Sequence, residues 1–281
     1  MTPQHSYIIP EDDHYLISFS GGRSSAYMLR KIIDANKGIP ENAHVVFANT
    51  GKEHAATYDF VEETASRWNV EITWLEYRYD TKALGGRYHP KNQVHVVDYK
   101  TASRNGEPFD SLINAKKFLP NVATRLCTSE LKIQTIDRHF KRNLGIKKYK
   151  KFLGIRYDEK KRWAKAMLVE DCNTLFPMVT DMVIKHDVLR FWKSQSFDLK
   201  IPSELGNCDM CFLKTQRKLL DIIKDDPSRA DWWIEKESYH WLKSNQFNKN
   251  FSYEYLKSKA LGEKTLFDMP LENEIDCFCG D

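Results

Sequence analysis

The first part of the chain alternates short apolar runs with amphipathic segments. Apolar, β-prone runs occupy residues 15–19, 43–48 and 70–77, and each predicts a strand buried on both faces. Between them, residues 26–33 and 57–68 carry apolar side chains at helical spacing. Strands that alternate with helices are typical of an α/β fold, so we predict a doubly wound parallel sheet.

Beyond residue 80 the pattern is less regular. Residues 80–107 form a long polar stretch in which residues 94–97 are a candidate short strand, and residues 151–155 predict a further strand. Helical patterns follow at residues 110–118, 129–143 and 186–194. We expect a leader at residues 1–14, an α/β domain at 15–200 and a mostly helical cap at 201–281.

The turn after the first predicted strand is rich in glycine and hydroxyl side chains. Its sequence is Ser20-Gly21-Gly22-Arg23-Ser24-Ser25, and a helix follows at once. Glycine lets the backbone approach a ligand closely, and the N–H groups at a helix start favour a phosphate. The serines add hydroxyl donors and Arg23 adds charge. The alternative is an ordinary strand–helix turn, but we favour a phosphate-binding loop because glycines, hydroxyls and flanking periodicities agree.

Two later strands end in similar polar segments. The second is followed by Asn49-Thr50-Gly51-Lys52-Glu53, and residues 151–155 lead into Gly154-Ile155-Arg156. Because open α/β sheets bind ligands at the carboxyl ends of their strands, we expect these segments to lie near residues 20–25.

The segment after residue 155 is rich in charged side chains. Arg156 and Arg162 can donate forked hydrogen bonds to phosphate oxygens. Asp158 and Glu159 are candidate ligands for Mg²⁺, which usually binds one or two carboxylates plus substrate phosphates. The alternative is a solvated helix start, which we favour on the charges alone.

Six cysteines are distributed unevenly along the chain. Cys208 and Cys211 form a C-x-x-C pair, whose spacing lets two thiolates face one metal. Cys277 and Cys279 form a second pair, while Cys127 and Cys172 are single. Two metal sites compete. In one, Cys208, Cys211, Cys277 and Cys279 bind zinc in a tetrahedral site. In the other, Cys127, Cys208, Cys211 and one of the two terminal cysteines hold a [4Fe–4S] cluster.

Composition sets broad limits on function. The chain has 281 residues, 41% of them hydrophobic, and a net charge of +4. That charge is compatible with a nucleic-acid partner but does not demand one. No apolar run approaches the about 20 residues of a membrane span, and residues 1–14 do not resemble a signal peptide. We therefore expect a cytoplasmic protein, in which cysteines more often serve metal or redox chemistry than disulfides.

Aromatic and basic residues alternate through residues 224–259. Such a belt can stack the bases of a single strand while its lysines follow the phosphates. Alternatively, a helical cap packs its aromatic rings on the sheet and leaves its lysines in water. We favour the second interpretation, because Asp225, Asp226 and Asp231 interrupt any basic stripe.

The pattern S-G-G-x-[DS]-S after a first strand resembles the pyrophosphate loop of the adenine nucleotide alpha-hydrolase superfamily. This group contains ATP pyrophosphatases, tRNA thiolases and reductases of phosphoadenosine phosphosulfate (PAPS). Ser24 stands where many members carry aspartate. The resemblance implies a Rossmann-like PP-loop fold that binds ATP or a related adenine nucleotide and acts between its α and β phosphates. The implied nucleotide contacts are Ser20, Gly21, Gly22, Arg23, Ser24, Ser25, Asn49, Thr50, Gly51, Gly154 and Arg156.

The motif G-x-R-x-[DE]-[ES]-x-x-R, from Gly154 to Arg162, resembles the phosphate or sulfate loop of PAPS-reductase-like enzymes. This resemblance implies that Arg156 and Arg162 contact the ligand. With Asp158, they are the residues that we predict to be catalytic.

The cysteine motifs also resemble a known layout. R-x-C-T-x-x-L-K around Cys127, followed by N-C-x-x-C-F-L-K, is similar to PAPS or APS (adenosine phosphosulfate) reductases and phosphorothioate-DNA sulfurtransferases. Those proteins carry a [4Fe–4S] cluster, so the implied ligands are Cys127, Cys208, Cys211 and either Cys277 or Cys279. Two departures argue against direct sulfate reduction. Cys127-Thr128 replaces the Cys-Cys pair of APS reductases, and their catalytic C-terminal cysteine motif is absent.

Three functional hypotheses follow from these resemblances. The leading one is an ATP pyrophosphatase or sulfurtransferase in thio-modification of nucleic acid, served by a cysteine desulfurase or another sulfur donor. The second is a reductase or hydrolase of PAPS-like small nucleotides. The third is a non-catalytic, nucleotide-sensing subunit of a larger complex. We expect no membrane partner, and an oligomer is compatible with all three.

Overall fold

The computed structural model describes residues 5–79, 92–168, 173–203 and 205–262. Within them, one sheet contains the strands β1 (Tyr15–Ser18), β2 (Ala43–Asn49), β3 (Thr73–Tyr79), β4 (Asn92–Val97), β5 (Lys150–Leu153) and β6 (Thr174–Leu175). The strand order is β4-β3-β2-β1-β5-β6. Neighbours are parallel except β3 and β4, which pair antiparallel.

Helices connect and cover these strands. The α/β part contains α1 (Arg23–Asn36), α2 (Ala55–Trp68), α3 (Glu107–Lys116), α4 (Thr135–Arg138), α5 (Lys160–Met167), α6 (Pro177–Thr180) and α7 (Lys185–Lys193). Helix α4 is flanked by π-helical turns at Cys127–Gln134 and His139–Asn143. The C-terminal part contains α8 (Gln216–Asp225), α9 (Asp231–Glu237) and α10 (Tyr253–Ala260). No helix among the described residues has the length and apolar character needed to cross a bilayer.

The central strand β1 is buried on both faces. Tyr15 and Ile17 belong to the core formed with α1, α2 and α7, whereas Leu16 packs in a separate core with Ile136 and Phe140. Successive side chains of a strand point to opposite faces, so helices must cover the sheet on each side. The predicted doubly wound α/β fold is confirmed.

The register of the three central strands aligns their carboxyl ends. Ser18, the last residue of β1, lies opposite Val46 of β2 and Leu153 of β5. Three loops therefore leave the sheet at the same edge. They are loop 1 (residues 20–25), loop 2 (residues 49–53) and loop 3 (residues 154–162).

The edge strands differ from the pattern of the central ones. The apolar run at 94–97 forms the end of β4, which pairs antiparallel with β3 through Trp74 opposite Val97. An antiparallel neighbour needs no crossover helix, and a single such strand is common at the edge of a mostly parallel sheet. The two-residue strand β6 closes the other edge. Residues 80–91, in the long polar stretch, lie outside the described residues.

The C-terminal part has its own apolar cluster. Trp233, Phe247 and Tyr253 are fully buried there, together with Ile113 of α3 and Leu119. These rings are buried, but they fill a core of the C-terminal part itself rather than packing on the sheet as we expected. Residues near the amino end are also packed, because Tyr7 and Ile9 lie in the core with β1.

Glu237, at the end of α9, ties the following loop to the cap. Its carboxylate accepts hydrogen bonds from the backbone N–H groups of Tyr253 (2.8 Å) and Phe247 (3.3 Å). Burial, reinforced by nearby Glu254, raises the pKa of Glu237 to about 7. The folded state therefore holds a proton that the unfolded chain releases near pH 4.5.

We expect Glu237→Gln to reduce the pH dependence of stability. As pH rises from about 4.5 to about 7, this carboxyl ionises in the unfolded state before it ionises in the folded state. The free energy of unfolding of the wild type therefore falls by roughly 2–3 kcal/mol, and it does not recover above pH 7. Glutamine cannot ionise, so this loss should be absent from the variant. Urea unfolding at pH 5 and pH 8 measures the difference. Glu62→Gln, at an exposed position of α2, is the control. Equal losses in wild type and Glu237→Gln would contradict the assignment.

Candidate functional site

Loop 1 forms a tight bend between β1 and α1. Gly22 is the N-cap of α1, and the first helical bond runs from Ala26 N to Gly22 O at 3.0 Å. The backbone N–H groups before Ala26 precede the helical hydrogen-bond ladder. Ser25 Oγ accepts from Ser20 N (3.2 Å) and donates to Gly22 O (2.9 Å), which fixes the bend. This arrangement can bind an anion, because the positive end of the helix dipole adds to the N–H groups of the first helical turn.

Only one of the two glycines of loop 1 is required by the backbone. Gly21 has a φ of +74°, and a Cβ there would lie 2.6 Å from Thr57 Cγ2 on α2. Gly22 has a φ of −105°, which every L-residue adopts. Glycine is therefore required at position 21 by the backbone and by the contact with α2. The φ of Gly22 tolerates a side chain, so a substitution there can test ligand binding.

The side chain of Arg23 is committed away from the bend. Its Nε and Nη2 donate to the Asp198 carboxylate at 2.7 and 3.0 Å, and Nη1 donates to Ile201 O at 2.9 Å. Nη2 also contacts Leu199 O. The charge that we expected Arg23 to add to loop 1 is thus shared with Asp198. What Arg23 brings to the bend is its backbone N–H group.

Loop 2 is held by buried polar side chains. Asn49 Nδ2 donates to Glu76 Oε1 (2.7 Å), and Asn49 Oδ1 accepts from Gly51 N (2.9 Å). Thr50 Oγ1 donates to the carboxylate of Glu53 at 2.9 Å, and Thr50 N does so at 3.1 Å. These side chains shape the loop, which continues directly into the start of α2.

Lys132 connects the first cysteine motif with loop 2. Its ammonium group lies 3.7 Å from Glu53 Oε1, and the Glu53 side chain is almost completely buried. The R-x-C-T-x-x-L-K motif around Cys127 therefore lies beside the same edge of the sheet as the three loops.

Loop 3 lies directly against loop 1. A Cβ at Gly154 would come within 2.8 Å of Ser25 Cα, so glycine allows this close packing. The buried Arg156 guanidinium donates from Nη1 to Ser24 Oγ at 3.0 Å and from Nε to Asp158 Oδ1 at 3.1 Å. Arg156 N donates to Glu159 Oε2 at 2.9 Å. The structure thus brings Arg156 to loop 1.

Arg162 and Asp158 occupy outer positions of loop 3. Arg162 pairs with Glu159 at the start of α5. Asp158 pairs with Arg156, and its side chain is 39% exposed. Arg162 thus connects to Arg156 through Glu159, while the second carboxylate oxygen of Asp158 accepts from Lys185 N at 3.4 Å.

The C-x-x-C segment is anchored to loops 1 and 2. Asn207 Nδ2 donates to Ser20 O at 2.8 Å, and Asn207 O accepts from His54 N at 2.7 Å. Glu53 and Cys208 then form an isolated antiparallel bridge, followed by a bond from Asp209 N to Lys52 O at 3.0 Å. The fold therefore places the cysteine pair beside the predicted phosphate loop.

The described cysteines do not assemble into a complete metal site. Cys211 is buried, Cys208 and Cys127 are half-buried, and none of the three forms a disulfide. Within the described ranges, no three cysteine, histidine or acidic side chains form a metal-binding group. The remaining predicted ligands, Cys277 and Cys279, lie outside these ranges, as does Cys172. A metal centre at Cys208 and Cys211 stays a prediction.

Three residues that position the site were missed by sequence reasoning. Glu76 is completely buried and accepts from Asn49 and from Ser103 N (2.6 Å). Asp198 holds Arg23, and Asn207 joins loops 1 and 2. Only Asn207 carried a local signal, since it directly precedes the first cysteine of the C-x-x-C pair.

Comparison with known proteins covers this same part of the chain. The sequence model of the phosphoadenosine phosphosulfate reductase domain matches residues 14–183, which include loops 1, 2 and 3 and Cys127. The chain is also similar to the uncharacterized nin region protein ORF290 of Escherichia phage lambda. The two are 32% identical over 212 residues, which span 75% of this chain and 70% of the phage protein. These matches confirm the resemblance inferred from the loop motifs, and the chain belongs to the phosphoadenosine phosphosulfate reductase domain family.

Proposed function

We propose that this chain binds an adenine nucleotide of the ATP type through its phosphates at loop 1 and acts between the α and β phosphates. The observation that carries the proposal is the buried Arg156 guanidinium, 3.0 Å from Ser24 Oγ at the start of α1. A guanidinium fork, serine hydroxyls and the N–H groups of a helix start all favour phosphate oxygens. Family membership supports the same choice, since PAPS is itself an adenine nucleotide.

In this proposal the protein orients the nucleotide and neutralises its charge. The N–H groups of residues 22–25 hold the phosphate oxygens, and Arg156 stabilises the charge that develops on the departing pyrophosphate. Asp158 is the candidate Mg²⁺ ligand, because its carboxylate is partly exposed beside Arg156. Arg162 holds Glu159, which in turn accepts from Arg156 N.

We further propose that the activated group belongs to an acceptor that receives sulfur, with nucleic acid as the acceptor class. Adenylation of an acceptor oxygen releases pyrophosphate, and a sulfur nucleophile from a separate donor then displaces AMP. The support is the position of the cysteine pair, which Asn207 links to loop 1. A [4Fe–4S] cluster held by three of the predicted cysteines would keep one open iron, which could carry a sulfide there. With all four ligands, Cys127, Cys208, Cys211 and one terminal cysteine, its role would be structural or electronic.

A second candidate is reduction or hydrolysis of a PAPS-like nucleotide. The observation that favours it is the extent of the family match, which includes all three loops. Two assays separate the candidates. Pyrophosphate release from ATP supports the first, and sulfite release from PAPS with thioredoxin supports the second. Nucleotide binding without either product would point to a sensing subunit.

The pair of glycines in loop 1 allows a test of nucleotide binding. Gly22→Val should fold, because its φ is accessible to valine, yet weaken ATP binding at least about tenfold by blocking the approach of a phosphate. Calorimetric titration with ATP measures the affinity. Gly21→Val is the contrasting variant, since it should destabilise the fold itself. Unchanged ATP affinity in a folded Gly22→Val protein would rule out loop 1 as the phosphate site.

Arg156 allows a test of the proposed chemistry. Arg156→Gln removes the guanidinium beside Ser24 and should lower kcat/KM for pyrophosphate release about 100-fold, or roughly 2.7 kcal/mol of transition-state stabilisation. Arg190→Gln, an exposed arginine on α7, should leave the rate unchanged. Steady-state kinetics at saturating Mg²⁺ compares the two. Equal rates for wild type and Arg156→Gln would exclude the proposed role.

The metal prediction is tested by removing one thiolate. Cys208→Ser should lose bound metal, because serine is a poor ligand for iron or zinc at neutral pH, whereas Cys172→Ser should retain it. Anaerobic purification followed by metal analysis and visible absorption gives the result. Broad absorption that bleaches on reduction indicates the iron–sulfur cluster, and a colourless protein with stoichiometric zinc indicates the alternative. Full metal retention in Cys208→Ser would show that the ligand assignment is wrong.

A further inference from the structure

A cavity of about 370 Å³ lies beside loop 2, at the start of α2. Lys52, His54 and Ala55 line it together with Tyr58 of α2 and Arg104. The lining is completed by Glu53, Asp209, Asp226 and Arg229. This cavity takes no part in the contacts of loop 1 or loop 3 described above.

Most charges around the cavity are already compensated. Arg229 pairs with Asp209, and Glu53 accepts from Thr50 and lies 3.7 Å from the Lys132 ammonium. Asp226 caps the short helical turn Pro227–Ala230 by accepting from Ser228 N at 3.0 Å. Asp209 and Glu53 thus have basic partners, whereas Asp226 is engaged only by hydrogen bonds from Ser228.

Two cations of the cavity lining, Lys52 and Arg104, form no ion pair within 4 Å among the described residues, although Glu53, Glu107 and Asp110 lie near enough to Lys52 to act on its charge. The Lys52 ammonium lies over the Trp232 ring, 4.9 Å from its centroid. The Arg104 guanidinium lies over the rings of Tyr58 (4.4 Å) and Tyr99 (4.8 Å). Aromatic faces hold a cation in place without neutralising its charge. Both cations are thus positioned and still available to an anion.

His54 adds no charge of its own to the cavity. Burial, together with Arg229 and Lys214, lowers the pKa of His54, so the imidazole is neutral at pH 7. His54 Nδ1 also accepts from Ala56 N at 3.1 Å, which requires the unprotonated nitrogen. The start of the 14-residue helix α2 adds its positive dipole end to the same wall.

We propose that this cavity binds a phosphate group of the acceptor, held by Lys52 and Arg104, while the nucleotide occupies loop 1. An ammonium and a guanidinium in the lining of one cavity suit a phosphate group. Its oxygens can accept hydrogen bonds from the ammonium and from two N–H groups of the guanidinium. The volume admits a phosphorylated fragment rather than a single ion. The anion site rests on this geometry alone, and its assignment to the acceptor rests on the proposed function.

The cavity and loop 1 are linked by few contacts in the fold. Loop 2 supplies Lys52 to the cavity, and Asn207 bonds to both His54 N and Ser20 O. A phosphate in the cavity would therefore hold an acceptor one loop away from the nucleotide, on the side where the cysteine pair lies. This is the placement that transfer to an acceptor requires.

Titration with inorganic phosphate tests the cavity. The full chain is first saturated with α,β-methylene-ATP, which fills loop 1, and phosphate binding is then followed by calorimetry. Lys52→Met and Arg104→Gln should each weaken phosphate binding about tenfold. The controls are Lys117→Met, whose ammonium lies 4.9 Å from the Trp241 ring centroid, and Arg67→Gln, whose guanidinium lies 5.1 Å from that of Phe197. Lys52→Arg keeps a cation and should retain binding.

Two outcomes would overturn the anion site. One is phosphate affinity in both cavity variants equal to that of the wild type, and the other is an equal loss in the controls. Phosphate that binds only without the ATP analogue would instead assign the cavity to the nucleotide and refute the proposal. If the analogue itself fails to bind, the proposed function fails, yet phosphate titration of the nucleotide-free variants still tests the cavity.

A dinucleotide with and without a 5′-phosphate tests the acceptor. The phosphorylated form should bind the wild type more tightly, and Arg104→Gln should abolish that gain. Inorganic phosphate binding with no difference between the dinucleotides would mean that the cavity serves a free phosphate, which would refute the assignment to an acceptor.

Discussion

The site depends on the close approach of two neighbouring parallel strands at their carboxyl ends. Because Gly154 has no side chain, the end of β5 lies against Ser25 at the start of α1. That contact brings Arg156 within hydrogen-bond distance of Ser24 Oγ. A larger residue at position 154 would separate the strand ends and withdraw the guanidinium. One missing side chain therefore determines whether loops 1 and 3 act as a single anion-binding surface.

Local sequence patterns were sufficient for the fold class and for loops 1, 2 and 3. Residues 15–19 and 43–48 are apolar enough to indicate buried strands, and glycine marks the turns that follow them. Because open α/β sheets bind ligands at the carboxyl ends of their strands, the three loops were expected to lie together. The apolar run at 94–97 indicated the strand β4, but its antiparallel pairing could not be predicted, because the run carries no information about strand direction. The two-residue strand β6 is too short to be distinguished from a loop.

Long-range polar contacts were also beyond the sequence. Arg23 was expected to add charge to loop 1, but its partner Asp198 lies 175 positions further along the chain. Asn207 and Ser20 are separated by 187 positions. Such pairs leave no local signal, since an aspartate or asparagine in a loop is usually solvated. A single sequence therefore shows which residues can bind phosphate but not which are already occupied within the protein.

The occupied arginine changes the electrostatics of the site. With Arg23 paired to Asp198, loop 1 relies on backbone N–H groups and on Arg156, which is itself paired with Asp158. Backbone dipoles and a guanidinium held in place by Asp158 reorganise little when charge develops on a phosphate. Such preorganised groups stabilise a transition state more than they attract a distant ligand. Two further cations, Lys52 and Arg104, lie against aromatic rings one loop away. Under the proposed function, the cavity would attract an anionic acceptor, and loops 1 and 3 would stabilise the reacting phosphates.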